Sequence, residues 1–291
     1  VNLLLLKGAF VDTNYRANLG IMGGNYARYN LSSEPIWAQF IYEANVGIKL
    51  SKRRNIWLDA GIMPSHIGFE SAISSDCWTL TRSMLAENSP YYEAGIKLTY
   101  TSHKERLRVA GLVLNGWQRI HKPDAQQLPS LGLQITYKPH YKFSINYSNF
   151  WGSIGADSLQ WIRQYHNFYL QFEPHNSFGI IAGYDIGTDK LPNAAHKIWY
   201  SPVLILRLKT GPKSYIALRG EYYSDPKQVM VFTGTANGFK TTGISGNFDI
   251  NIGTQTQFRM EAKWFQSKDL IFNQNTQSTN YSITGSLSFK I

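Results

Sequence analysis

"FRMEAKW", residues 258 to 264, alternates without a break: Phe258, Met260, Ala262 and Trp264 take one face, Arg259, Glu261 and Lys263 the other. Period two marks a strand with one apolar and one polar side, because successive side chains point to opposite faces of the pleat. The pattern continues upstream in "GNFDINI" (246–252), where Phe248, Ile250 and Ile252 oppose Asn247, Asp249 and Asn251. Downstream it fills "YSITGSLSFKI" (281–291), where Tyr281, Ile283, Leu287, Phe289 and Ile291 oppose Ser282, Thr284, Ser286, Ser288 and Lys290. Strands of soluble sandwiches mostly have five or six residues. These reach about eleven, the length a tilted strand needs to cross a bilayer. Turning Arg259 and Lys263 toward lipid at mid-depth would cost roughly 2–4 kcal/mol each, far more than alternative cross-strand pairs differ. The apolar face therefore meets lipid and the polar face lines a lumen.

Extending the alternation along the chain gives about fifteen strands: 1–11, 14–28, 37–51, 54–64, 90–102, 105–118, 129–139, 141–152, 164–174, 176–187, 197–210, 213–225, 240–251, 254–266 and 279–291. The connections alternate too. "DTN", "SKRRN", "SHKE", "KPH", "EPHN", "TGPK" and "GTQ" are short, and between them lie long links such as "RIHKPDAQQL" and "DPKQVMVFTGTANGF". Tight periplasmic turns at one rim and longer external loops at the other are the asymmetry of an outer-membrane barrel. Bacterial single-chain barrels have an even strand number. The first and last strands here both descend toward the periplasm, so an ascending sixteenth strand is expected before Val1. The fold class is all-β, a transmembrane antiparallel barrel of about sixteen strands, with residues 1–291 as one domain.

Composition bounds the alternatives. Of 291 residues, 16% are charged, below the roughly 25% usual for soluble domains. No apolar run approaches the roughly 18 residues of a membrane helix; Leu3 to Leu6 and Val203 to Leu206 each stop at a Lys or Arg. Cys77 is the only cysteine, which leaves no disulfide framework or thiolate metal site, and no cofactor is expected. The net charge of +10 lies in turns and at alternate strand positions rather than in a recognition module, so nucleic acid is not an expected partner. Val1 falls in mid-strand, and any signal peptide would precede it. No G-x-S-x-G occurs, and the histidines fall mainly in turns (His103, His140, His175) and loops (His121, His196), with His166 in a strand. An enzyme is not indicated.

One segment breaks the pattern. "PSHIGFESAISSDCWTLTRSMLAENSP", residues 64 to 90, is long and polar and its second half reads as a short helix. Within "IWLDAGIMPSHIGFESAISSDCWTLTRSMLAENSPYYEAGIKLTY" (56–100), and in "NLGIMGGNYARYN" and "YEANVGIKLS" upstream, the chain resembles the OmpL-like β-barrel porins of Bacteroidetes-type outer membranes. That resemblance is specific over residues 1 to 100. It implies an outer-membrane channel with a portion ahead of Val1, and little about the solute.

Counting long links as external loops makes 64–90 the third. In sixteen-stranded porins the third loop is the one that typically folds into the lumen, and length, place and polarity suit that role. Asp76 is the expected cap of a helix over roughly Cys77 to Glu87, with Leu80, Met84 and Leu85 against the wall and Arg82 and Glu87 toward water. The alternative is an external lid carrying the same helix. Candidate constriction residues are His66, Glu70, Asp76, Arg82 and Glu87; candidate lumen residues are Arg16, Asp59, Glu93, Arg219, Glu221, Arg259, Glu261 and Lys263. Most wall charges are expected to pair across strands. For sixteen strands the backbone barrel is roughly 30 Å across, and a wall charge about 8 Å from the axis contributes only about 0.5 kcal/mol in water. A small surplus of lumen Lys and Arg then gives a mild anion preference.

Tyr91, Tyr92, Trp117, Phe150, Trp151, Tyr200, Tyr222 and Trp264 lie near strand ends, where interfacial girdles belong. Only Tyr169 and Tyr223 fall clearly on the polar face, too few for a sugar slide. Two functions fit: a porin-like channel for small hydrophilic solutes or ions, or an accessory barrel within a larger outer-membrane assembly. Expected partners are membrane lipid and lipopolysaccharide, the solutes themselves, and a second copy of the chain or a larger complex.

Overall fold

The structure, a computed structural model, describes residues 1–290; Ile291, counted above with the last strand's apolar face, lies outside the described residues. Fifteen strands form one antiparallel sheet in strict sequence order. The first six are β1 (Leu4–Val11), β2 (Tyr15–Gly23), β3 (Ile41–Lys49), β4 (Asn55–Pro64), β5 (Tyr92–Thr101) and β6 (Leu107–Leu114). Next come β7 (Ser130–His140), β8 (Phe143–Ser153), β9 (Ile162–His175) and β10 (Phe178–Lys190). β11 (Lys197–Lys209), β12 (Ser214–Asp225), β13 (Phe239–Ile252), β14 (Thr256–Ser267) and β15 (Thr279–Phe289) complete the wall. Each of the fifteen expected strands is present. With every neighbouring pair antiparallel, β1 and β15 run the same way and form the sheet's two edges, unpaired with each other among the described residues. Antiparallel closure takes one more strand in the opposite direction.

The alternation assigns the faces as the sequence requires. On β14, Arg259 and Glu261 are 0% and 1% exposed while Met260 between them is 46% exposed. Arg259 lies directly opposite Asp249 on β13, and its Nε donates to Asp249 Oδ1 at 2.7 Å. Polar side chains fill the inside and apolar ones cover the outside, the inverse of a soluble barrel.

β6 stops at Leu114 rather than 118, and two neighbouring strand ends fall short of expectation for one physical reason. β2 stops at Gly23 rather than running to residue 28, and β3 begins at Ile41 rather than 37. Between them Gly24 takes φ 107°, where a Cβ would meet the backbone oxygens of Val1 and Asn2, and the chain winds into a short helix α1 (Asn25–Asn30). Ala27, Leu31 and Ala38 bury there with Met22, Tyr92 and Ile120. Of the apolar residues that looked like strand, Ala27 and Ala38 are drawn into the barrel mouth, while Trp37 and Phe40 stay exposed.

Inner-face glycines make room for bulk. Gly187 on β10 faces Trp199 on β11, whose ring occupies the place a Cβ at 187 would take and lies 6.2 Å from the Tyr165 ring. Gly187→Ala is expected to displace that rigid indole at a cost of about 1–3 kcal/mol. Urea unfolding followed by tryptophan fluorescence checks it; an unchanged midpoint and spectrum would contradict this packing.

Candidate functional site

Residues 65–91 leave the top of β4, descend inside the barrel and climb back to β5. His66 comes first. Its Nδ1 is 2.7 Å from Glu93 Oε2 and its Nε2 is 2.8 Å from the Asn149 carbonyl oxygen. Gln134 Nε2 and Ser148 Oγ both donate to the His66 carbonyl, so β5, β7 and β8 hold this point together. Phe69 then packs edge-to-face with Tyr169 on β9. At the lowest point, a 3₁₀ turn over Ser74–Asp76 and the following Cys77 give their carbonyl oxygens to Arg259: Ser74 to Nη1, and Cys77 to Nη2 at 3.0 Å. Trp78 fills the space over Gly179, with Arg207 5.8 Å from its ring centre.

The ascending limb is fixed mainly through its backbone. Leu80 N–H donates to Asn247 Oδ1 (3.0 Å), Thr81 N–H to Glu261 Oε2 (2.6 Å) and Met84 N–H to Glu221 Oε2 (2.5 Å). Arg219 donates from Nη1 to Thr79 Oγ1 and the Thr81 carbonyl, both at 2.8 Å, and from Nη2 to Glu261 Oε1 at 2.8 Å. Lys263 Nζ reaches the Arg82 carbonyl at 3.0 Å. Charge-assisted bonds of this kind are stronger than neutral ones, and here both partners are shielded from bulk water. The loop therefore lies inside the barrel, and the external-lid arrangement is not the one adopted.

The helix within it differs from expectation. It is one turn, α2 (Met84–Glu87), capped by Ser83, whose Oγ accepts from Ala86 N–H at 3.2 Å. Asp76 instead ends the 3₁₀ turn and stays exposed, with the chain extended at Cys77. The cause is the wall: Arg259, Asn247 and Glu261 take the backbone groups of residues 77–81 that a longer helix would have used itself. Leu80, Met84 and Leu85 are buried as expected. Arg82 is not turned to water; it is buried, and its Nη1 donates to the Leu80 carbonyl of its own loop. Glu87 is exposed, as expected.

The structure gathers the candidates into four groups. Arg219 joins Glu261, Glu221 (3.3 Å) and Glu70 (3.8 Å), with Lys263 3.9 Å from Glu221. His66 joins Glu93. Arg259 joins Asp249 and the bottom of the loop. Arg16 on β2 joins Asp59 on β4, reaching across β3 where Gly47 lies between them in register. Asp76, Arg82 and Glu87 make no ion pair among the described residues, while Glu70 turns to the wall beside Arg219.

Tyr165, Asn167, Arg163 and Asp189 of the inner face had not been singled out. Tyr165 Oη and Asn167 Nδ2 both donate to Asp185, and Arg163 holds Asp189 with two 2.8 Å bonds while lying between the rings of Trp117 and Trp199. Tyr92, Trp117 and Phe150 turn inward, while Trp151, Tyr200, Tyr222 and Trp264 keep the outward face, Tyr222 beside Tyr200 and Trp264 beside Tyr281. Over the mouth, Glu34 accepts from Tyr92 Oη and from the N–H groups of Ile120 and His121, tying two external loops together. A further loop contact joins Asn237 to Asp269, whose carboxyl is held below its usual range by the Asn237 backbone N–H and side-chain amide.

The fold is that of known outer-membrane channels. The anion-selective porin from Comamonas acidovorans superposes with a TM-score of 0.63 at 11% identity, covering 99% of this chain and 85% of that one. Outer-membrane-expressed OmpT of Vibrio cholerae, also solved in a trimer form, gives 0.61 at 9% identity over 98% and 89%. The outer membrane channel DcaP of Acinetobacter baumannii gives 0.59 at 9% over 98% and 83%. At such identities these likenesses establish the fold alone. No curated protein matches the sequence. A family model described as "Putative beta-barrel porin-2, OmpL-like" matches residues 1–291, and the chain belongs to that family of outer-membrane porin-type barrels.

Proposed function

We propose that this barrel is a channel for passive diffusion of small hydrophilic solutes and ions, with residues 64–90 as its constriction and a mild preference for anions. The observation that carries it is the loop's attachment: bonded to β5, β7 and β8 at His66 and to β12–β14 from Ser74 to Met84, it stands across the lumen, so a solute must pass around it. The lumen wall offers hydrogen-bonding groups throughout, which replace part of a solute's lost hydration. Membrane lipid and lipopolysaccharide surround the outer face. By analogy with the trimer form of the Vibrio barrel, a second copy of the chain is the partner expected beside it.

Reversal potentials across planar bilayers in a salt gradient test this. The expected result is stepwise conductance with anion-to-cation permeability within a few-fold of unity, since wall charges are distant from the axis and mostly paired. A ratio above about a hundred either way would overturn the weak-field picture. Electrical silence would favour an accessory barrel, a reading supported by the apolar packing of Trp117, Phe150, Tyr165 and Trp199 within the lumen. Turnover of ester or lipid would indicate an enzyme.

A further inference from the structure

Beneath the loop, at the short-turn rim, the wall from β2 to β9 borders a half-open cavity of about 660 Å³. No residue of 65–91 lines it, yet Gln134 and Tyr169 at its ceiling touch the loop through His66 and Phe69. Four cations border it, Arg16, Arg108, Lys138 and Lys142, against two acids, Glu105 and Glu173. Two of the cations have partners. Arg16 is paired with Asp59 and stacked 4.4 Å from the Trp57 ring centre, and Lys142 donates to the Pro174 carbonyl at 2.7 Å.

Arg108 and Lys138 have neither a salt bridge nor a side-chain hydrogen bond among the described residues. They share the inner face of adjacent strands: Arg108 pairs in register with Thr136, which places Lys138 on the diagonal, roughly 7–8 Å away. Both are exposed to the water of the cavity, so their mutual repulsion is only about 0.5 kcal/mol and both heads can turn to one anion. Two inner-face rings line the cavity with them, Trp57 beneath Arg16 and Tyr169 beside Phe69. The volume falls within the roughly 300–1,000 Å³ range of small-molecule sites.

We propose that this cavity is a docking site for a small organic anion that carries a ring, a sugar acid or an aryl acid. Arg108 and Lys138 hold its carboxylate or phosphate, and Trp57 and Tyr169 flank the ring. This deepens the channel reading by naming a solute class, but binding itself does not depend on conduction.

Calorimetry on the folded barrel in detergent tests it, with glucuronate and benzoate as probes and glucose, benzyl alcohol and acetate as controls. The ring-bearing anions should bind more tightly than all three controls, and whichever of the two binds better identifies the source. Arg108→Gln and Lys138→Gln should each weaken binding about tenfold, and Tyr169→Leu should bring benzoate or glucuronate down to the level of acetate. Retained gel mobility of the unheated barrel certifies that each variant is folded. Equal binding of neutral and anionic probes, or unchanged affinity in the Arg108/Lys138 double variant, overturns the site. Acetate binding as well as benzoate and glucuronate removes the ring. Bilayer recordings keep the two proposals apart: a silent barrel that binds fails as a channel, and a conducting barrel that does not bind fails here.

Discussion

Deleting Ile73 to Glu87 is expected to raise single-channel conductance severalfold and to flatten its dependence on solute size, with the barrel still assembled. The segment removed contains most of the groups that reach β12–β14, among them the carbonyls of Ser74 and Cys77 and the N–H groups of Leu80, Thr81 and Met84; Glu70, beside Arg219, stays behind. What remains is a wall whose strands keep their own ladders, and whose Arg259–Asp249 and Arg219–Glu261 pairs are internal to β12–β14. Water entering the vacated space rehydrates those charges, so the wall tolerates the loss. Conductance follows open cross-section, and in a backbone cylinder roughly 30 Å across the loop takes a large share of it. Bilayer recordings with neutral polymers of graded size read both effects. Unchanged conductance and cut-off would mean that residues 64–90 are not the constriction.

The second large effect is expected at Arg219. Its side chain is fully buried and answers three carboxylates, Glu70, Glu221 and Glu261. Arg219→Met leaves them with Lys263, 3.9 Å from Glu221 alone. Removing one partner from a buried charge cluster costs roughly 3–5 kcal/mol, because the remaining charges lose their compensation without regaining water. The loop should detach before the wall unfolds, since the same guanidinium holds Thr79 and Thr81. Limited proteolysis should cut between Thr79 and Met84 in the variant and not in the parent, and conductance should move toward that of the deletion. Adding Glu261→Gln, which removes one charge but keeps an oxygen acceptor for the Thr81 N–H, should restore part of the lost resistance, because uncompensated charge is the cause. Resistance to protease in Arg219→Met would show that the N–H bonds to Glu221 and Glu261 suffice.

Strand number, direction and facing were legible because lipid on one side and water on the other impose period two on nearly every wall segment. The order of short and long links marked 64–90 as the third external loop; its inward course rested on the likeness to sixteen-stranded porins, with an external lid left open. The internal partnerships were not. Arg16 meets Asp59 two strands away, over Gly47, and no single strand announces a contact with the next strand but one. The Asp76 cap was a sound local expectation, defeated when wall side chains claimed the backbone groups that a helix needs.

Two signals for the buried interior were present all the same. Val203 to Leu206 is apolar without alternation, the mark of a strand covered on both faces; Val203 and Ile205 pack inward with Trp78 and Leu85 of the loop. Gly179, Gly183 and Gly187 recur every fourth residue on the lumen face of β10, opposite Trp78, Phe69 and Trp199. A glycine column on a polar face marks where bulk enters from elsewhere.

The loop's moorings also order events in time. Leu80, Thr81 and Met84 lie in the first third of the chain, but their acceptors are 167, 180 and 137 residues further along. Contacts so distant in sequence form late. Until β12–β14 stand in the wall, residues 65–91 lack the acceptors that hold them across the lumen. Narrowing of the bore and assembly of that part of the wall are then one event.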